Sequence, residues 1–210
     1  MPRHQIKRET DLQIISEWID EGQSVLDVGC GRGILLEHLI RTRSARALGV
    51  DASLEKVQSC VKRGVPVYHG AAESLLEEFP DGYFDWVILS RMVQELAHPG
   101  ELIRASLRVA SNVAVGFVNH GYWLNRWSTL RTGSRPTNEV FPLSWDAGHP
   151  YNPVTIKGFN QFASKEGIDI ANTIFLKGDW RQRTSFLPNL TAGYAVYHLR
   201  GTSGTWLSGG

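Results

Sequence analysis

Residues 24–39 read SVLDVGCGRGILLEHL, with Gly29, Gly31 and Gly33 alternating behind a single acid, Asp27. SVLDV has the short apolar character of a buried strand, and ILLEHLIRT the periodicity of a helix. The glycines therefore occupy a strand-to-helix turn. Glycine permits positive φ and removes the Cβ that would hold a ligand off the backbone. Such a turn is either a tight connection or a cradle for a cofactor, and its surroundings favour the cradle. The next strand, ALGVD, ends in Asp51, 18 residues past Gly33, where a carboxylate meets a ribose diol in nucleotide-binding βαβ units.

Outward from this turn the chain alternates strands and helices. DLQIISEWI places Leu12, Ile15 and Ile19 on one helical face ahead of SVLDV. SLEKVQSCVKR reads as a helix capped by Ser53 and stopped by Gly64. VPVYHG, DWVILS and NVAVGFVN follow as strands, with the helix PGELIRASLRV before the last. Strands separated by single helices imply right-handed parallel crossovers and a doubly wound α/β sheet. From His120 to Pro153 the texture changes to a long irregular insert. It carries Trp123, Trp127, Phe141 and Trp145, three arginines (Arg126, Arg131, Arg135) and four prolines. A helix, TIKGFNQFASKEG, and two strands, IDIANTIFL and AGYAVYHL, complete the pattern. The chain thus reads as one domain over 1–200, with the insert at about 120–153 and a glycine- and serine-rich, flexible tail at 201–210.

Composition excludes several classes. The 22 basic and 21 acidic residues nearly cancel, which argues against a broad basic face for nucleic acid. The apolar runs are strand-sized and far short of a membrane span. The N-terminus MPRHQIKRETD lacks the apolar core of a signal peptide, so a cytoplasmic location is expected. Cys30 and Cys60 make neither a disulfide framework nor a metal-ligand pattern.

The spacing of the turn bears on the ligand. A dinucleotide fingerprint is GxGxxG, which delivers a helix N-terminus to a pyrophosphate. Here it is GxGxG behind Asp27, an acid that repels phosphate and suits a cationic ammonium. NAD remains the minor alternative. LDVGCGRG resembles the DxGxGxG motif of class I S-adenosylmethionine (SAM) methyltransferases. The resemblance implies a mainly parallel seven-stranded sheet with its last strand antiparallel. It also implies that SAM or S-adenosylhomocysteine (SAH) is bound by Asp27, Gly29, Cys30, Gly31 and Gly33, with Asp51 on the ribose. Ala52, Ala72, Glu73 and Ser90 are the further strand-end positions it assigns to the cofactor. The adenine is held either by backbone and apolar contacts after YHGAAES or by Glu73.

A narrower resemblance spans about Leu12 to Leu199. WIDEGQSVLDVGCGRGILLEHL, GVPVYHG, FPDGYFDWVILS, VNHGYW and LPNLTAGYAVY are similar to the methionine biosynthesis protein MetW family. That family has a SAM-methyltransferase fold and acts with MetX, a homoserine O-acyltransferase, whose activity it supports. The chain departs from the family around SRMVQEL, which keeps Gln94. It also departs in WDAGHPYNPVTI, which has Asn152 where a histidine is expected and its own His149 three residues earlier. A MetX-like acyltransferase is therefore the expected partner. An autonomous methyltransferase for a small acceptor is the alternative. For that chemistry His120 and His149 are the candidate bases, while SAM itself is an activated donor that needs mainly alignment of the acceptor.

Overall fold

The structure, a computed structural model, describes residues 3–134 and 152–201, with side chains from Thr10 onward. Phe141, Trp145, His149 and Arg135 of the insert lie outside the described residues.

The strands follow the alternation expected, and two short helices, over 72–77 and 188–191, are additional. They run α1 (Arg3–Trp18), β1 (Ser24–Val28), α2 (Ile34–Arg43), β2 (Arg46–Asp51), α3 (Leu54–Lys62), β3 (Val67–His69), α4 (Ala72–Glu77) and β4 (Phe84–Ser90). Then come α5 (Pro99–Val109), β5 (Ala110–Val118), α6 (Trp123–Thr132), α7 (Ile156–Lys165), β6 (Asp169–Lys177), α8 (Pro188–Thr191) and β7 (Ala192–Arg200). The strands form one seven-stranded sheet in the order β3-β2-β1-β4-β5-β7-β6. β7 runs antiparallel to both its neighbours, and the pairs among β1 to β5 are parallel.

Period-two alternation sorts each central strand's side chains to the two faces. In β5, Val113, Val115 and Phe117 pack on one face with Leu102 and Ile103 of α5 and Phe159 of α7. Ala114 and Val118 join the other face, where Ile14, Ile15 and Ile19 of α1 meet Leu35, Leu36 and Leu39 of α2. Helices thus cover both faces of a largely parallel sheet, which hides its backbone and leaves only strand ends for ligands. The strand order reverses between β1 and β4, so the crevice of interest opens at their carboxyl ends.

One expectation changes. The start of the irregular insert is a helix, α6. Trp123, Trp127 and Leu130 recur at i, i+4 and i+7, and Gly133 closes the helix in the left-handed region (φ 65°), donating its N–H to Thr129 O at 2.8 Å. α6 has no buried residue: Trp123, Trp127 and Leu130 are 50%, 54% and 78% exposed.

Candidate cofactor site

The three glycines of the turn all adopt positive φ, but for different neighbours. A Cβ on Gly29 would stand 2.6 Å from the Met92 side chain, and one on Gly33 would stand 2.9 Å from Cys60 Sγ. A Cβ on Gly31 (φ 58°) would meet nothing within 4 Å. Gly29 and Gly33 are thus bare because the fold packs against them, and Gly31 is bare beside open space. The loop is tied to β2 by N–H donation from Gly29 and Cys30 to Val50 O, at 2.8 and 3.1 Å. Beneath it the thiols of Cys30 and Cys60 lie 3.9 Å apart, and Cys60 donates to Gly31 O at 3.3 Å. Burial pushes both thiols up, so they support the loop as neutral packing groups.

Asp51 ends β2 with both oxygens engaged. Gly31 N–H donates to Oδ2 at 3.0 Å, Ser53 N–H donates to Oδ1 at 2.9 Å, and Lys56 Nζ lies 3.6 Å from Oδ2. An ionised carboxylate has about four acceptor sites, so lone pairs remain for a diol. Asp51 therefore shapes the glycine loop as well as offering a ligand contact. Asp27 differs: it is 5% exposed, and among the described residues no hydrogen bond reaches its carboxyl group. Burial, and then the nearby charge of Asp51, push its pKa up to about 8. A buried carboxyl without a donor is costly when ionised, and a cation is what relieves that cost.

The remaining positions are distributed as follows. Ala52 is exposed, and its carbonyl oxygen lies 3.1 Å from His69 Nε2. The Ala72 methyl is buried in the core, and Glu73 is exposed on the first turn of α4. Ser90 Oγ turns to Asp11 Oδ2 (3.4 Å) and Tyr194 Oη (3.3 Å). His120 is half-buried and donates its backbone N–H to Val154 O at 2.9 Å. Asn152 donates from its N–H to Gln94 O at 2.8 Å and from Nδ2 to Leu96 O at 2.6 Å, so the two divergent segments meet. Gln94 in turn clamps the end of β5, giving Nε2 to Val118 O and accepting Val118 N–H. Among the described residues no group of three or more His, Cys, Asp or Glu converges as a metal site, and no helix is long and apolar enough to cross a membrane.

Sequence reading missed the wall opposite the glycine loop. Asp11 of α1 is 1% exposed and pairs with Arg91, the residue after β4, whose Nη2 lies 3.2 and 3.1 Å from the two Asp11 oxygens. The guanidinium stands over the Trp180 ring at 5.1 Å and the Tyr194 ring at 5.7 Å. A signal was present: Asp11 falls at i−4 from Ile15, in the apolar stripe of the first helix, where an acid has no reason to be unless it meets a partner.

This fold is the one that class I SAM-dependent methyltransferases adopt. A SAM-dependent methyltransferase from Archaeoglobus fulgidus superposes with a TM-score of 0.68 at 16% identity, over 95% of this chain and 94% of that one. Magnesium protoporphyrin IX methyltransferase from Synechocystis PCC 6803, solved with bound SAH, superposes with a TM-score of 0.66 at 14% identity, over 94% and 84%. Residues 9–199 match the methionine biosynthesis protein MetW family, and the chain belongs to it. The bifunctional methionine biosynthesis protein MetXA/MetW of Rhodopirellula baltica is 30% identical over 91% of this chain, which spans 32% of that relative's length.

Proposed function

We propose that the protein binds SAM or SAH in the crevice between β1 and β4 and supports a MetX-like homoserine O-acyltransferase as its partner. In the crevice, the ionised Asp27 would hold the ammonium of the amino-acid moiety, Gly31 would let the ligand lie against bare backbone, and Asp51 would accept ribose hydroxyls. Bound SAM would supply an activated methyl group. Asp27 is the observation that carries the cofactor reading, being a buried carboxyl that no donor meets among the described residues.

The partner reading is carried by α6. A helix that buries none of its residues and exposes Trp123, Trp127 and Leu130 on one stripe costs less when that stripe is covered. Arg126 leads from it to a groove of about 830 Å³ between α7 and α8, where Lys157 and Lys165 flank Leu187 and Leu190. Tryptophan and arginine are the side chains that dominate binding hot spots. A relative in which a MetXA portion and a MetW portion share one chain supports acyltransferase as the partner.

The test is co-purification with the acyltransferase, coupled to calorimetry with SAH. The double variant Trp127→Ala, Arg131→Ala should lose the acyltransferase while keeping SAH affinity. Normal capture by that variant counts against the α6 surface. Absence of any SAH heat in the unaltered protein counts against the cofactor reading. Methyl transfer from labelled SAM to a small molecule without the acyltransferase would favour an autonomous methyltransferase instead.

A further inference from the structure

The Arg91 guanidinium is only partly engaged among the described residues. The residue takes φ 63°, a left-handed conformation that side chains other than glycine rarely adopt, and its N–H is held by Gly116 O at 2.7 Å. Strain of this kind in a residue at the carboxyl end of a central strand is characteristic of functional sites. Asp11 engages a single nitrogen, Nη2, with both its oxygens. Nε is buried, and among the described residues no acceptor meets it. A guanidinium offers Nε–H and Nη2–H as a parallel fork that matches the two oxygens of one carboxylate, and a buried donor left without an acceptor is costly. Trp180 and Tyr194 fix the plane of that fork.

Its position is as telling as its chemistry. Met92, the next residue, lies against Gly29 of the glycine loop, and β4 pairs with β1 at Asp27↔Ile88. Arg91 therefore follows the strand whose carboxyl end, with that of β1, borders the crevice. Asp11 is a costly partner for it, because burial pushes its carboxyl group up despite the arginine beside it. It also comes from α1, a helix that precedes the sheet and packs on its face through Ile14, Ile15 and Ile19.

We propose that Arg91 anchors the carboxylate of a small molecule bound beside the glycine loop, with Asp11 serving as an internal stand-in that the ligand displaces. Two ligands carry this chemistry: the amino-acid moiety of the cofactor, and a separate small acid on the acceptor side. The first rests on the cofactor reading given above and the second does not.

Calorimetry separates them with three probes: SAH, decarboxylated SAM and sodium succinate. If the cofactor's carboxylate is the ligand, Arg91→Gln weakens SAH binding by about tenfold or more and leaves decarboxylated SAM unaffected, since a hydrogen bond to a charged group is worth roughly 1.5–3 kcal/mol. If a separate acid is the ligand, SAH affinity is unchanged by Arg91→Gln. Succinate then quenches tryptophan fluorescence in Asp11→Asn, where the stand-in is neutral, and fails to do so once Trp180→Phe or Arg91→Gln is added. Should Arg91→Gln fold poorly, the neutral pair Asp11→Asn, Arg91→Gln replaces it in every arm, with thermal melting as the control. If no probe binds the unaltered protein except succinate, the cofactor reading fails and the anchor stands. If SAH, decarboxylated SAM and succinate all respond identically with and without Arg91, the anchor is overturned.

Discussion

The crevice has two walls of opposite construction. The β1–β2 wall is backbone and bare carboxylate: Gly31 opens onto space, and Asp27 meets no donor among the described residues. The β4–β7 wall is filled with side chains, where Asp11, Ser90, Arg91, Trp180 and Tyr194 bond and stack among themselves. One wall is shaped for something to arrive, and the other is filled by its own side chains with Arg91 Nε left over among the described residues. A surface made of backbone needs glycine and is visible in any sequence. A surface made of interlocking side chains draws on residues from α1, β4, β7 and the segment after β6, and no local pattern shows it.

The sharpest way to break this contrast is at the glycines. Gly31→Val should abolish measurable SAH binding, because it fills the cradle and forces a β-branched residue to positive φ. The stability cost should be about 1–2 kcal/mol, the usual penalty of the left-handed region. Gly29→Val should do more harm to the fold, since its side chain collides with Met92 at 2.6 Å. Thermal melts and calorimetry on both variants check the pair. Equal loss of stability at the two positions would erase the distinction between an open glycine and a packed one.

Asp51→Ala tests the acid end of the same wall. Two N–H groups lose their acceptor, and any ribose contact goes with them. SAH affinity should fall by about 3 kcal/mol, given roughly 1.5–3 kcal/mol per hydrogen bond to a charged group. An unchanged affinity in a folded variant would reduce Asp51 to a loop brace.

Asp27 makes the wall sensitive to pH. Its carboxyl pKa is pushed up to about 8, whereas an unfolded aspartate titrates near 4. Between those values the native state holds a proton that the unfolded chain has lost, so this group's contribution to stability is full below about 4. It declines as pH rises toward 8, by at most about 1.4 kcal/mol per unit. A cationic ligand needs Asp27 ionised, so SAH affinity should rise by up to about tenfold per pH unit toward pH 8 and then level off. Denaturant melts and calorimetry from pH 5 to 9 read both trends with opposite sign, and Asp27→Asn should flatten both.

The smallest effect is expected at α6. Trp127 is 54% exposed, so Trp127→Ala should change unfolding free energy by no more than about 0.5 kcal/mol, the range for surface positions. A larger loss, read by chemical denaturation, would mean that α6 packs against the body of the protein rather than waiting for a partner.

The amino-acid sequence by itself determined the sheet, the helices on its two faces and the glycine loop between Asp27 and Asp51. Each rests on local rules: period-two and 3.6-residue apolar repeats, and the demand for glycine where φ is positive. It misjudged α6 as irregular, because an aromatic stripe with no core to face lacks the burial contrast that marks an ordinary surface helix. The tertiary structure alone decided which glycine is open and which is packed, since that depends on Met92 and Cys60, distant in sequence and adjacent in space. It alone brought Asp11 to Arg91 across 80 residues. Ion pairs and stacked rings carry no sequence period, and they exist only once the sheet has placed the ends of its strands side by side.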